Sequence, residues 1–144
     1  MISTKGRYAL RLMIDIAAYS NGNVVSLKDI SARQNISIKY LEQVVSLLTR
    51  SQLLISVRGN NGGYRLVKDP KDYKVGEILV AAEGTLAPVS CLQTEVNTCP
   101  RALGCATIDF WQGFYKVVND YVNGVTLEDL AVKERARIGN DYSI

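Results

Sequence analysis

All three cysteines of this 144-residue chain lie within one short segment, and the chain has no histidine. Cys91, Cys99 and Cys105 follow the spacing C-x7-C-x5-C. Zinc sites and thioredoxin-like sites use C-x2-C pairs, which are missing here. The wider spacing suits an iron-sulfur cluster, because its iron atoms take thiolate ligands from separate points of a loop. The alternative is that the three thiols are buried structural side chains.

Three thiolates leave one ligand position of a cluster open. Since the chain has no histidine, the fourth donor is an oxygen atom, water, an external thiol or a residue of a partner subunit. Glu95 and Asp109 are the local carboxylates. A hard oxygen donor binds a soft iron-sulfide core weakly, so such a cluster would be easily lost, a property that suits a sensor. The spacing leaves a 2Fe-2S and a 4Fe-4S cluster open.

The positive charge of the chain is concentrated in its first half. Residues 1–70 carry ten Lys and Arg against four Asp and Glu, a net +6, and residues 71–144 carry seven against ten, a net −3. A basic half points to a polyanion such as nucleic acid, although a solvated basic face has the same composition. The sequence shows neither a secretion signal nor an apolar run of membrane-spanning length, so we expect a cytoplasmic protein with no membrane partner.

Periodicity predicts three helices and a hairpin in the first half of the chain. Apolar residues at helical spacing predict a helix from Thr4 to about Tyr19, and Ser26 and Ser37 are the N-caps of two more helices. The sequence RGNNGG at 58–63 lies between two β-prone runs and predicts a turn. A short helix, a brief link and a longer helix, followed by a glycine-tipped hairpin, indicate a winged helix-turn-helix.

Side chains at the start of the second helix of this motif reach base edges in the DNA major groove. The outward residues of that stretch include Lys39, Tyr40, Glu42 and Gln43. Lys39 can bind phosphate or guanine, Gln43 can bond adenine at two atoms, and Glu42 can accept from the cytosine amino group. The alternative for Glu42 is a solvated helix residue with no role in recognition.

The predicted wing offers a second contact with DNA. Arg58 stands at its start, and Gly62 and Gly63 stand at its end. Glycines let a backbone approach a phosphate or a minor groove closely, and arginine is a common minor-groove side chain. We therefore predict that these three residues bind DNA.

Two apolar stripes run along one predicted helix that begins at about Thr107. The inner stripe consists of Ile108, Trp111, Tyr115, Val118 and Val122, and the outer stripe of Phe110, Phe114, Val117 and Tyr121. A helix that is apolar over so wide an arc buries two sides. We expect one side to pack on its own domain and the other to meet a second copy across a two-fold axis.

The predicted fold class is mainly α with a small β-hairpin wing, a winged helix-turn-helix plus a long dimerisation helix. We divide the chain into a DNA-binding region at 1–84, a cysteine loop at 85–106 that binds the cluster, and a dimerisation helix with a C-terminal helix at 107–144. The sequence has no nucleotide-binding glycine motif, no histidine base and no catalytic carboxylate pair, so we do not expect an enzyme.

Several stretches resemble a known family. STKGRYALRLMIDIA, ISIKYLEQVVSLLTRSQLLISVRGNNGGYRL, VGEILVAAEG, the three-cysteine loop and TLEDLA are similar to the iron-sulfur cluster regulators, the IscR-like family. The resemblance implies a homodimeric winged helix-turn-helix repressor or dual regulator with a cluster near the dimerisation helix. We expect such a homodimer to bind a palindromic operator in double-stranded DNA. It also implies that Glu42 takes part in operator discrimination and that Arg58 enters the minor groove. By the same resemblance, the ligands of the cluster are Cys91, Cys99 and Cys105.

The chain departs from two branches of that family at the fourth ligand and from a third branch in having the three cysteines. In the IscR branch a histidine follows the last cysteine by three residues, where this chain has Ile108, which excludes a Cys3His 2Fe-2S centre. In a nitric-oxide-sensing branch the ligand is an acidic residue of the partner's first helix, and the matching region here holds Arg7 and Tyr8. A cysteine-metabolism branch resembles the chain in STKGRY and TLEDLA but generally lacks the cysteine triad.

The function predicted from the sequence is therefore an iron-sulfur-dependent regulator of transcription. We expect a repressor of iron-sulfur cluster biogenesis or of related stress genes. The alternative is a thiol- or zinc-based regulator of cysteine and sulfur metabolism that acts through a partner protein.

Overall fold

The computed structural model describes the backbone of residues 1–142 and the side chains of residues 1–139. Its described elements follow in the order α1 (Thr4–Tyr19), α2 (Leu27–Gln34), α3 (Ile38–Arg50), β1 (Leu54–Val57), β2 (Gly63–Leu66), α4 (Val75–Glu83), α5 (Ile108–Gly124) and α6 (Leu127–Tyr142). The predicted fold class, mainly α with a small hairpin wing, is confirmed. Within the described part of the chain, no helix combines the length and hydrophobicity of a membrane span.

Serine side chains begin the first three helices, at Ser26 and Ser37 as the sequence predicts and at Ser3 for α1. Ser3, Ser26 and Ser37 have extended backbone conformations, and each hydroxyl accepts a 3.2 Å hydrogen bond from a backbone N–H of the following turn. These N–H groups have no acceptor within their own helices. The caps therefore fix where α1, α2 and α3 start.

One hydrophobic core joins the helices of the DNA-binding region to the last helix of the chain. Fully buried side chains of α1, α2, α3 and α4 fill it, among them Leu12, Ile30, Leu48 and Ile78. α6 packs on α1 and adds Leu127 and Ala131, which are also fully buried. The C-terminal helix thus closes the same core that supports the helix-turn-helix.

The wing is a two-stranded antiparallel hairpin in which Leu54 lies opposite Leu66. Val25, between α1 and α2, extends this small sheet. Its N–H donates to the carbonyl of Tyr64 at 2.9 Å, and the N–H of Tyr64 donates back at 2.8 Å. These two bonds attach the wing to the helix-turn-helix.

Tyr73 holds the base of the wing through its hydroxyl group. The side chain is fully buried, and the hydroxyl donates to the carbonyl of Leu53 and accepts from the N–H of Val67, both at 2.8 Å. Leu53 precedes β1 and Val67 follows β2. One side chain therefore fastens both ends of the hairpin.

Candidate nucleic-acid interface and cysteine loop

α3 presents a polar surface on the side opposite its contact with the core. Lys39, Glu42 and Gln43 are exposed. The buried residues of the helix are Leu41, Val44, Val45 and Leu48, as the sequence predicts. The cap at Ser37 and this buried stripe together fix the direction of the polar side chains. The side chains of Lys39, Glu42 and Gln43 therefore face outward, where they can contact a molecule that binds this side of α3.

Tyr40 is packed between helices. Its ring meets the ring of Tyr8 edge to face, with centroids 5.1 Å apart. The guanidinium of Arg11 lies 5.4 Å from the Tyr8 centroid and donates to both the side-chain and backbone oxygens of Gln34. Tyr40 is half-buried and ties the start of α3 to α1. Its contact with DNA stays a prediction.

Tyr8 and Arg11 were not singled out from the sequence for the DNA-binding surface, although they border Tyr40. An aromatic residue followed by an arginine three positions later on a basic helix is the signal that could have identified them. Residues three apart lie on the same face of a helix.

The wing glycines are required by close packing inside the hairpin. A Cβ atom on Gly62 would collide with the carbonyl oxygen of Val57, and one on Gly63 would collide with that of Val25. Within the same turn, Gly59 has φ of +120°, a conformation that favours glycine. Arg58 is exposed at the start of the turn. The structure thus gives both glycines a role without DNA, and their contact with DNA stays a prediction.

The cysteine loop holds its three thiols at separate points. Cys91 lies in a short turn, the N–H of Cys99 donates to the side chain of Asn97 at 2.9 Å, and Cys105 precedes α5. All three are free, half-buried thiols. No three Cys, His, Asp or Glu side chains among the described residues form a group that could hold a metal ion. The sulfur donors suit a cluster in chemical type, but the described chain does not gather them, and Glu95 and Asp109 are exposed.

Cys105 has the electrostatic environment that favours a thiolate. The hydrogen bond from the Thr107 hydroxyl, with Sγ and Oγ1 3.4 Å apart, lowers the pKa of the Cys105 thiol, and the backbone N–H groups of Thr107 and Ile108 act in the same direction. The thiolate is the form of cysteine that binds metals.

The two stripes of α5 have different surroundings. The inner stripe is half-buried, and its Val118 and Val122 line an apolar groove of about 250 Å³ with Leu79 and residues 85–88. Phe114 of the outer stripe lines the edge of the same groove and is 41% exposed. The outer stripe remains exposed in the single chain, at 65% for Phe110 and 73% for Tyr121. One side of α5 therefore has its packing partner within the chain, as the sequence predicts.

A capped recognition helix beside a hairpin wing, both mounted on one helical core, defines a winged helix-turn-helix DNA-binding protein. The chain belongs to the Rrf2 family, described as an iron-dependent transcriptional regulator, which matches residues 2–133. The resemblance read from the sequence is thereby confirmed, and so is the class of function, a regulator of transcription.

Known relatives align along most of the chain. Protein rrf2 of Nitratidesulfovibrio vulgaris is 38% identical over 129 residues, which cover 90% of this chain and 85% of the relative. The structure of CymR (YrzC), the global cysteine regulator of B. subtilis, is similar with a TM-score of 0.75 and 36% identity over 92% of this chain and 97% of that one. The structure of T. potens IscR is similar with a TM-score of 0.74 and 34% identity over 93% and 88%.

Proposed function

We propose that this protein is a homodimeric repressor that binds a palindromic operator and whose affinity for DNA depends on an iron-sulfur cluster. The observation that carries the DNA-binding part is the exposed polar start of α3. It is fixed in direction by the Ser37 cap and by the Tyr8–Tyr40 contact. A preorganised recognition helix binds DNA without first paying to order its own residues.

The contacts with DNA divide between α3 and the wing. Lys39, Glu42 and Gln43 read base edges or phosphates in the major groove. Arg58, exposed at the start of the turn of the hairpin, enters the minor groove or binds its phosphates. Tyr73 and Val25 attach the hairpin to the helical core, so the backbone at Arg58 is held at a fixed place relative to α3.

The outer stripe of α5 is the proposed dimer interface. Its four apolar side chains are exposed in the single chain, and burying them against a second copy removes that surface from water. A two-fold dimer places two recognition helices one turn of DNA apart, about 34 to 36 Å. Such a dimer matches a palindromic operator.

The cysteine loop is the proposed cluster site, with Cys91, Cys99 and Cys105 as its protein ligands. The donor type and the description of the family as iron-dependent support this assignment. Because the three sulfurs are not grouped in the described chain, the loop must refold to bind iron. The loop leads directly into α5, so its conformation can change the dimer interface and the spacing of the two recognition helices.

The second candidate is a regulator of cysteine metabolism that uses its thiols or a zinc ion and acts through a partner protein. The similarity to the B. subtilis cysteine regulator favours it. The separate placement of the three thiols favours the thiol-based form of this candidate, since such a regulator gathers no ligands around a metal ion.

Purification without oxygen separates the two candidates. We expect brown protein that contains iron and equimolar sulfide, and loss of both when Cys91, Cys99 or Cys105 is replaced by serine. Operator affinity is then measured for the loaded and cluster-free forms. Protein that stays free of iron after reconstitution, or equal affinities of the two forms, contradicts the cluster proposal. Bound zinc without sulfide supports the second candidate.

A further inference from the structure

Ile38 is the one large aliphatic side chain of α1, α2 and α3 that is exposed, at 43%. The other large aliphatic residues of these three fully described helices are buried or half-buried. Isolated exposed apolar side chains are common on protein surfaces, so exposure alone carries no argument. The argument for a function rests on the position of Ile38, which is the first residue of the helix that is proposed to enter the major groove.

The backbone on both sides of Ile38 is held in place. The hydroxyl of Ser31 donates to the carbonyl of Ile36 at 2.6 Å, and the side chain of Ile36 is buried. On the other side, Ser37 accepts from the N–H of Tyr40 and fixes the first turn of α3. Because the backbone is held on both sides, the first turn of α3 has a fixed orientation, and this orientation directs the side chain of Ile38 outward. Its β-branched side chain has few rotamers, so a contact costs little conformational entropy.

Ile38 borders the polar side chains that are proposed to read bases. It lies one turn before Glu42 on the helix surface, since residues four apart are neighbours. A side chain without hydrogen-bonding groups can distinguish bases only by an apolar contact. The C5-methyl group is the apolar feature that base edges present in the major groove.

We infer that Ile38 reads the C5-methyl group of a pyrimidine in each half-site of the operator, beside the base that Glu42 contacts. The inference rests on the proposed binding of DNA by α3. It adds a chemical requirement to the operator, namely a methyl group at a fixed position. Thymine carries this group, and so does 5-methylcytosine.

Replacing thymine by deoxyuridine removes the methyl group and leaves base pairing unchanged. The operator is first selected from a random duplex library with the unmodified protein, and each thymine is then replaced in turn. Burial of one methyl group corresponds to about a fourfold change in affinity. We expect one replacement to weaken binding about fourfold in one half-site and about fifteenfold in both. Ile38→Ala changes both half-sites, so it is expected to bind the intact operator about fifteenfold more weakly and not to respond to deoxyuridine at that position.

Two control variants and a second set of operators complete the experiment. Ile38→Val keeps an apolar, β-branched side chain and is expected to keep the response to deoxyuridine. Val132→Ala, at an exposed position of α6, is expected to behave as the unmodified protein. In the second set, a methyl group is added to each cytosine. Tighter binding that is lost in Ile38→Ala would identify 5-methylcytosine as the source of the methyl group.

The outcomes separate this inference from the proposed function. If the protein selects an operator but no methyl group affects its affinity, the role of Ile38 is overturned and DNA recognition by α3 stands. A response to deoxyuridine that persists in Ile38→Ala also overturns it, because another residue then reads the methyl group. If no operator can be selected, the proposed function itself fails. An unchanged Tm of Ile38→Ala shows that the variant is folded.

Discussion

Asp15 of α1 and Arg33 of α2 form a bidentate ion pair, with distances of 2.7 Å from Nη2 to Oδ1 and 3.0 Å from Nε to Oδ2. The side chain of Asp15 is fully buried, and Gln34 donates a further bond to it at 2.9 Å. The guanidinium of Arg33 lies 4.4 Å from the ring centroid of Tyr19. This network fixes α2 against α1 and therefore the position from which α3 starts.

Replacement of Asp15 by asparagine removes the charge that satisfies Arg33. We expect the free energy of unfolding to fall by about 1–3 kcal/mol, because the fully buried position loses its charge-assisted hydrogen bonds from Arg33 and Gln34. Urea denaturation followed by circular dichroism measures the change. The control is Asp120→Asn, which breaks the exposed pair with Lys116 on α5 and should leave the midpoint unchanged. Equal effects of the two substitutions would contradict a structural role for the buried pair.

Removal of the Tyr73 hydroxyl should loosen the wing. Tyr73→Phe leaves the carbonyl of Leu53 and the N–H of Val67 without their side-chain partner, which costs about 1–3 kcal/mol for buried groups. We expect faster hydrogen exchange in β1 and β2 and weaker operator binding. The half-buried Tyr64→Phe is the control and should change neither measurement. A Tyr73→Phe variant with normal exchange in the wing would show that the hairpin is held by its other contacts alone.

Glu83 at the end of α4 holds the start of α1. Burial opposes ionisation of its carboxylate. The bonds that it accepts from the Ser3 hydroxyl and N–H, both at 2.7 Å, and from the Gly6 N–H at 3.0 Å outweigh this effect, and the pKa of Glu83 is lowered. A carboxylate with a lowered folded-state pKa stabilises the fold above its unfolded-state pKa, and the stabilisation is lost as the pH falls through the folded-state pKa.

Glu83→Gln should therefore be less stable than the unmodified protein at neutral pH. We expect the difference in free energy of unfolding to shrink as the pH falls below about 4.5, the ordinary pKa of glutamate. Urea denaturation at a series of pH values measures it. Asp72→Asn, at an exposed position, controls for the loss of one negative charge. A difference that is independent of pH would mean that the charge of Glu83 does not stabilise α1.

Arg58 and Glu42 should have different effects on DNA binding. Arg58→Ala is expected to weaken binding to every sequence and to reduce the slope of log affinity against log salt by about 2, because the proposed dimer loses one phosphate contact in each half-site. Glu42→Ala is expected to reduce discrimination at one base pair by about tenfold while binding to other sequences persists. Fluorescence anisotropy over a set of operator variants separates the two effects. Uniform loss in Glu42→Ala would show that Glu42 is structural.

A charge on the outer stripe should dissociate the proposed dimer. Val117 is 68% exposed in the single chain, and an aspartate there would be buried without a partner in the interface. We expect Val117→Asp to raise the dimer dissociation constant by at least about tenfold, as measured by analytical ultracentrifugation. Gln112→Asp, at another exposed position of α5, should remain dimeric. A dimeric Val117→Asp would place the interface elsewhere.

Local sequence features determined where the elements of this protein begin and which sides they bury. These features are the N-cap serines, the glycine-rich turn of the wing and the apolar spacing of α3 and α5. Each depends on residues that are close together in the sequence, so a short stretch of sequence is enough to predict it. The polar surface of α3 follows from the same periodicity. The family could be recognised from the sequence for the same reason, because its motifs are runs of adjacent residues.

Only the tertiary structure decided which distant residues meet. The carboxylate of Glu83 binds Ser3, the N-cap residue of α1, which lies 80 residues earlier. Tyr73 fastens both ends of the hairpin, and α6 returns to the core with Leu127. The distances between the three thiols were also decided by the tertiary structure. Their spacing in the sequence gives the number of residues between the sulfurs but not the course of the backbone that connects them. Such contacts depend on the summed course of many backbone dihedrals, and no short stretch of sequence contains them.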